Sequence, residues 1–163
     1  MTTSDSQGAA PKGNDKHKMR SASRLYAVQA LFQMEHSNLT LDKVIVEFED
    51  FRFGAVYEDG EMAEGDSKVF RKLVEDAVSH QARIDQMTDR ALVAKWPIGR
   101  IDPTLRALFR AAGAEFVTMG TPPKDVINEY VEVARAFFPE GREAGFVNAV
   151  LDFMGREAKP DAF

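Results

Sequence analysis

Between positions 12 and 24 the chain reads KGNDKHKMRSASR, with five Lys or Arg and one Asp. The whole protein has a formal net charge of −5, so this net of +4 leaves −9 for everything else. Lys16, His17, Lys18, Arg20 and Arg24 are the residue types that hold phosphate. Lys and Arg attract the anion and release its counterions, and Arg adds a planar fork that fits phosphate or stacks on a base. If a helix runs through this stretch, spacings of three and four put His17, Arg20 and Arg24 on one face. The chemistry offered is anion binding, and an acidic surface elsewhere would concentrate that binding here. A short basic tract also suits a solvated helix start, so composition alone leaves both readings open.

The other candidate groups converge less well. Asp76 and His80 have the i, i+4 spacing of two metal ligands on a helix, but no third ligand is obvious. Glu129 and Glu132 sit side by side on a helix, which suits an interhelix polar contact. There is no cysteine, hence no disulfide and no thiolate metal site, which fits a reducing compartment. P-loop, dinucleotide-binding and nucleophile-elbow patterns are missing from the sequence. These features predict a non-enzyme without metal or cofactor. The first residues lack the apolar run of a secretory signal, and no stretch is long enough to span a bilayer; the expectation is a cytoplasmic protein.

The elements that must position the basic strip read as helices throughout. Leu25, Val28 and Phe32, widened by Ala27, Leu31 and Met34, mark a first helix over about 21–36. A short second helix spans about 41–51, with Leu41, Val44, Ile45 and Phe48 inward. Residues 47–66 then hold eight carboxylates, one Arg and three glycines, which reads as a long solvated loop. Phe70, Leu73, Val74 and Ala77 define a third helix from Ser67. Ile84, Met87, Ala91 and Leu92 define a fourth, ended by Trp96-Pro97. Asp102-Pro103 is a start signal, a capping carboxylate followed by proline at the first helical position. The stripe Leu105, Leu108, Phe109, Ala112 and Phe116 follows it. Thr121-Pro122 opens a sixth helix carrying Val126, Ile127, Tyr130, Ala134 and Phe137, and Pro139-Glu140-Gly141 breaks it. Val147, Val150, Leu151 and Met154 define the last. No segment alternates with period two for long, so the fold class is all-α, with about seven helices and no sheet. The organisation expected is a disordered basic head over 1–19, a helical domain over 20–158 and a tail over 159–163.

Four collinear blocks carry a resemblance. SRLYAVQALFQME, RIDPTLRALFRAAGAEF, VINEYVEVARAFF and FVNAVLDFM match, in order and spacing over about residues 20–156, the NusB family of transcription antitermination factors. The resemblance implies two packed helical subdomains and a function without catalysis. It implies binding of the boxA element in nascent RNA together with NusE, a small-subunit ribosomal protein. RNA polymerase is then engaged indirectly, to read through terminators in ribosomal RNA operons. Both monomers and homodimers occur in the family.

On the matched positions, Arg20 and Arg24 correspond to basic residues of the family's arginine-rich RNA-contacting motif, and Lys16 to an upstream one, with Lys18 beside them. Gln29 and Phe32 correspond to the polar and aromatic residues of the family's Q-A-L-Y, and Phe146 to an aromatic near its RNA. Arg100, Thr104 and Arg106, near the polar face of the well-capped fifth helix, are the expected contacts to NusE. Arg110 lies one turn on from Arg106. Two departures stand out. RSASR is poorer in arginine than the family motif, and Gly145 replaces the basic residue that usually precedes Phe146, unless Arg142 substitutes. Both predict weaker RNA affinity from the protein alone and more reliance on the partner. A protein-binding adaptor with little RNA affinity is the alternative. Some ribosomal RNA cytosine methyltransferases carry a similar domain, but that chemistry needs a further catalytic domain and a reactive cysteine.

Overall fold

A computed structural model describes residues 13–54, 56–57, 60–61, 64–92 and 100–163. Seven α-helices account for most of them: α1 Gly13–His36, α2 Leu41–Glu47, α3 Ser67–Ser79, α4 Gln81–Ala91, α5 Pro103–Thr118, α6 Pro123–Phe137 and α7 Glu143–Ala158. The all-α class and the helix number match the periodicity of the sequence. Two starts are capped by carboxylates, of which the sequence signalled Asp102. Asp66 accepts from the amides of Lys68 and Val69, and Asp102 accepts from Thr104 with Pro103 behind it. At α6 the helix begins one residue later than Thr121-Pro122 suggested, with Pro123 in the first turn. The break at Trp96-Pro97 lies outside the described residues.

Helix α5 is the hub. It packs against α1, α3, α4, α6 and α7, and so joins the N-terminal and C-terminal halves. Such a helix must be apolar nearly all round. Its buried run includes Leu105, Leu108, Phe109, Ala111, Ala112, Ala114 and Phe116. Gly113 lets α4 approach closely, since a Cβ there would stand 2.3 Å from Ile84 Cγ2. The buried residues of both halves form one continuous cluster.

Three segments differ from the sequence expectation. Helix α1 starts at Gly13, so positions 13–19 belong to a helix and not to a disordered head; residues 1–12 lie outside the described residues. The inward face of α1 is Ala27, Val28 and Leu31 with Tyr26 and Ala30, while Leu25 and Phe32 are only partly covered. The acidic segment is not simply a solvated loop. Helix α2 passes into a π turn, Phe48–Arg52, and Phe53 then packs against Tyr26 and Phe70 at ring-centroid distances of 4.8 and 5.1 Å. Gly54, at φ +65°, turns the chain into a two-residue antiparallel ladder, Val56–Tyr57 with Gly60–Glu61. At the other end, residues 160–162 form a 3₁₀ turn instead of a loose tail. Arg156 lies over the Phe163 ring at 4.4 Å, and Lys159 Nζ donates to the Met119 carbonyl at 2.7 Å.

Candidate nucleic-acid interface

The first turns of α1 carry the basic strip, and the fold divides it. Lys16, His17 and Lys18 are exposed and Arg20 is partly covered, but Arg24 is only 6% exposed. Its guanidinium forks onto Glu115 of α5, with Nε and Nη2 donating at 3.0 and 2.8 Å. Tyr130 of α6 donates its hydroxyl to the same carboxylate at 3.1 Å. Burial works against the Arg24 charge, yet the hydrogen bonds and charge of Glu115 outweigh it and raise its pKa. Burial, reinforced by the Glu115 charge, pushes the Tyr130 phenol well above its ordinary value. Arg24 is therefore withdrawn from any phosphate, and its expected RNA contact is corrected to a structural ion pair. The reason is geometric: on a helix packed against α5, the face holding positions 24, 27, 28 and 31 is the inner one. Sequence reasoning passed over Glu115. A carboxylate in the apolar run AAGAEF signals a buried cation partner.

A second carboxylate, Glu129 of α6, meets the same turns of α1. Ser21 Oγ donates to it at 2.9 Å, while Arg24 Nη1 and His17 Nε2 each stand 3.6 Å from it. This is the interhelix polar contact its spacing suggested. Ser23, fully buried, donates to the Met19 carbonyl at 2.8 Å and accepts from the Asp66 amide at 2.6 Å, tying α1 to the start of α3.

Helical geometry sorts the remaining positions. At about 100° per residue, Lys16 and Arg20 share one side of α1, while Lys18 falls in line with Ala22, Leu25, Gln29 and Phe32. The second line is a half-exposed seam beside Val133 and Ala136 of α6. It ends in a hollow of about 380 Å³ bordered by Gln29, Phe32, Arg52, Thr104 and Phe137. Phe32 stacks on His36 there with ring centroids 4.3 Å apart. Gln29 and Phe32, expected at RNA, thus meet Thr104, expected at the protein partner.

Phe146 lies elsewhere, in a cleft of about 490 Å³ between the starts of α5 and α7. Its ring meets Phe109 edge to face at 6.1 Å, and exposed Arg100 and Arg142 flank the cleft. Gly145 is exposed, with open space where a side chain would project. Asn148 is exposed and borders a separate hollow with Asn128 and Arg135.

Arg106 and Arg110 do not form a free polar face. Arg106 donates from both Nε and Nη2 to the carboxylate of Glu35 at the end of α1, and its side chain is 12% exposed. Arg110 forks onto Asp85 of α4 at 3.0 and 2.9 Å. For Glu35, burial would raise the carboxyl pKa, but the Arg106 hydrogen bond and charge outweigh it and hold it below the ordinary carboxylate value. The expected use of Arg106 as a free partner contact is corrected accordingly: α1 and α4 lie over that face and supply its counter-charges. At Asp76, the carboxylate accepts from Lys72 and Thr118, and His80 turns Nδ1 to the Asp76 carbonyl, so the two do not point at a common centre. Among the described residues no group of three or more His, Asp or Glu could hold a metal ion, and no helix is long and apolar enough to cross a membrane.

The domain is all-α, with exposed cations on its first helix and two aromatic-bearing hollows. The family model described as "NusB family" matches residues 21–156, and the chain belongs to that family. It is 45% identical over 150 residues to the transcription antitermination protein NusB of Maricaulis maris strain MCS10, covering 91% of this chain and 93% of the relative. The fold matches that of T. maritima NusB with a TM-score of 0.67 at 25% identity, over 85% of this chain and 91% of the other. It also matches a chain in a crystal structure of the antitermination factors NusB and NusE in complex with double-stranded RNA. That likeness has a TM-score of 0.67 at 22% identity, over 85% of this chain and 97% of the other.

Proposed function

We propose that the protein is a cytoplasmic, non-catalytic transcription antitermination factor that binds boxA RNA together with NusE. Through that complex it acts on RNA polymerase indirectly and promotes read-through in ribosomal RNA operons. The observation that carries the reading is the family match over residues 21–156, joined to relatives named for antitermination. The local chemistry supports it. Lys16 and Lys18 are exposed, Arg20 is partly so, and none of the three has an ion-pair partner among the described residues. Phe32 and Phe146, each half-covered, offer ring surface to unstacked bases. Arg100 and Thr104 border the two aromatic hollows, so RNA and NusE would be held on adjoining surfaces.

Two observations favour the adaptor reading. Arg24 is withdrawn into the core and Gly145 supplies no charge, which leaves few phosphate ligands on the protein itself. Titrating a boxA oligonucleotide with the protein, with and without NusE, separates the two. The RNA-binding reading expects measurable binding alone, falling steeply with salt, and tighter binding with NusE. Binding only when NusE is present, with no salt dependence contributed by Lys16 and Lys18, would leave the adaptor.

A further inference from the structure

The groove beside the basic strip is not basic. One wall presents His17 and Arg20 of α1, and the opposite wall presents Asp125, Glu129 and Glu132 of α6, around a volume of about 760 Å³. Arg24 borders the same groove, but Glu115 already compensates it. Three carboxylates therefore face one uncompensated guanidinium. Glu129 is the one fixed in place. Its side chain is 19% exposed, and it engages Ser21, Arg24 and His17 at once. Glu132, one turn on, is 67% exposed and pairs only with Arg135 among the described residues.

From this geometry we infer that Glu129 is a specificity-determining residue for RNA: it closes the α6 side of the strip to phosphate. The RNA backbone is then confined to the outer edge, along Lys16 and the solvent side of Arg20, which share one side of α1; Lys18 lies across the helix, in the half-exposed seam. The inference rests on the RNA-binding reading above. A carboxylate that lines the same groove as Arg20 and stands 3.6 Å from His17 Nε2 repels a phosphate entering the groove, and Ser21 and Arg24 hold it in place. Arg24 takes part only as a positioning residue, holding α1 so that its first turns lie against Glu129. The arrangement makes a weakly cationic surface directional, since an RNA strand follows one edge of α1 instead of settling between α1 and α6.

The test is fluorescence anisotropy of the full chain with a single-stranded boxA oligonucleotide and a scrambled one of equal length, from low to high salt, with thermal melts in parallel. Glu129→Gln keeps a hydrogen-bond acceptor for Ser21 and removes the charge. It is expected to tighten binding of both oligonucleotides about three- to tenfold at low salt, with the gain fading as salt screens it. A purely structural Glu129 would change melting without that salt-dependent gain. Should Glu129→Gln fail to fold, Glu132→Gln carries the test at an exposed position, with a smaller gain in the same direction. Lys16→Ala is the companion variant. Weaker RNA binding there, with no gain from either Gln variant, overturns the role of Glu129 and leaves the RNA-binding strip standing. No loss from the Lys variant overturns the strip, and the inference falls with it.

Discussion

Arg24 and Lys18 lie less than two turns apart on α1, in the same basic stretch, and the fold uses them differently. The Arg24 side chain is 8% exposed, forked onto a fully buried Glu115 and neighboured by Glu129 and Tyr130. Lys18 is exposed, with no ion-pair partner among the described residues. Around a helix, six residues amount to roughly 240°, which carries the chain from the seam facing solvent to the face against α5. One charge thus holds three helices together, while the other is available to a ligand. Density of arginine in a motif is a poor measure of phosphate-binding capacity when one face of the helix is buried. A buried guanidinium is retained because removing it would strand its carboxylate.

The comparison breaks most sharply at Arg24. Arg24→Ala leaves Glu115 charged, buried and unpaired, and is expected to cost about 3–5 kcal/mol of stability, read by urea denaturation. Replacing Arg24 and Glu115 together with Met and Leu should recover most of that loss, because the pair and not either charge is what the core tolerates. A stability change near that of an exposed Lys substitution would place Arg24 in solvent and reverse the contrast.

Phe32 sharpens it at the other end of the seam. Its ring is half-covered and stacked on His36. Phe32→Ala is expected to weaken boxA binding by about 1–3 kcal/mol if a base stacks there. Its melting loss should fall short of the roughly 3–5 kcal/mol of a buried phenylalanine. Unchanged RNA affinity with a full core-sized loss of stability would mark the residue as packing alone.

Gly145→Lys probes the other aromatic. The space beyond Gly145 is open, so the side chain needs no rearrangement. One added phosphate contact is expected to steepen the single-stranded RNA salt slope by about 0.7 units, and the better helix former should stabilise α7 by up to about 1 kcal/mol. An unchanged slope would put the RNA away from the start of α7.

The smallest expected effect is on acid stability. Glu35 and Asp76 are both held below the ordinary carboxylate range. Burial opposes this in each, but Arg106 outweighs it at Glu35, and Lys72 with Thr118 outweighs it at Asp76. With folded values below unfolded ones, their contribution is full above the unfolded carboxylate pKa of about 4 and is lost as pH falls through the lower folded values. The melting temperature should therefore decline below about pH 4, and Arg106→Gln should flatten part of that decline. An identical acid profile in the variant would show that the Glu35 pair contributes nothing to it.

Much of the fold was legible because burial leaves a periodic mark. Leu105, Leu108, Phe109, Ala112 and Phe116 recur at helical spacing because one stripe of α5 must leave water. Asp102-Pro103 announces its helix start because an uncapped amide seeks a carboxylate. The acidic segment was less legible. Eight carboxylates outweigh Phe48 and Phe53 in any composition, yet those two rings decide the packing, against Phe70 and Tyr26. Of the candidate site, residue types could be read but not their facing. Gln29, Phe32 and Thr104 come from two helices, and Arg100, Arg142 and Phe146 from two helix starts and the residues just before them.

The sequence by itself determined an all-α chain, the capped start at Asp102-Pro103, a concentration of cations on its first helix and, through four collinear blocks, its family. Those are properties of neighbours along the chain, where spacing and side-chain chemistry act directly. Only the tertiary structure decided which cations remain outside. Arg24 meets Glu115 across 91 positions of sequence, and Arg106 meets Glu35 across 71. A charge pair that distant is fixed by the packing of α1 on α5, and nothing local to either residue encodes it.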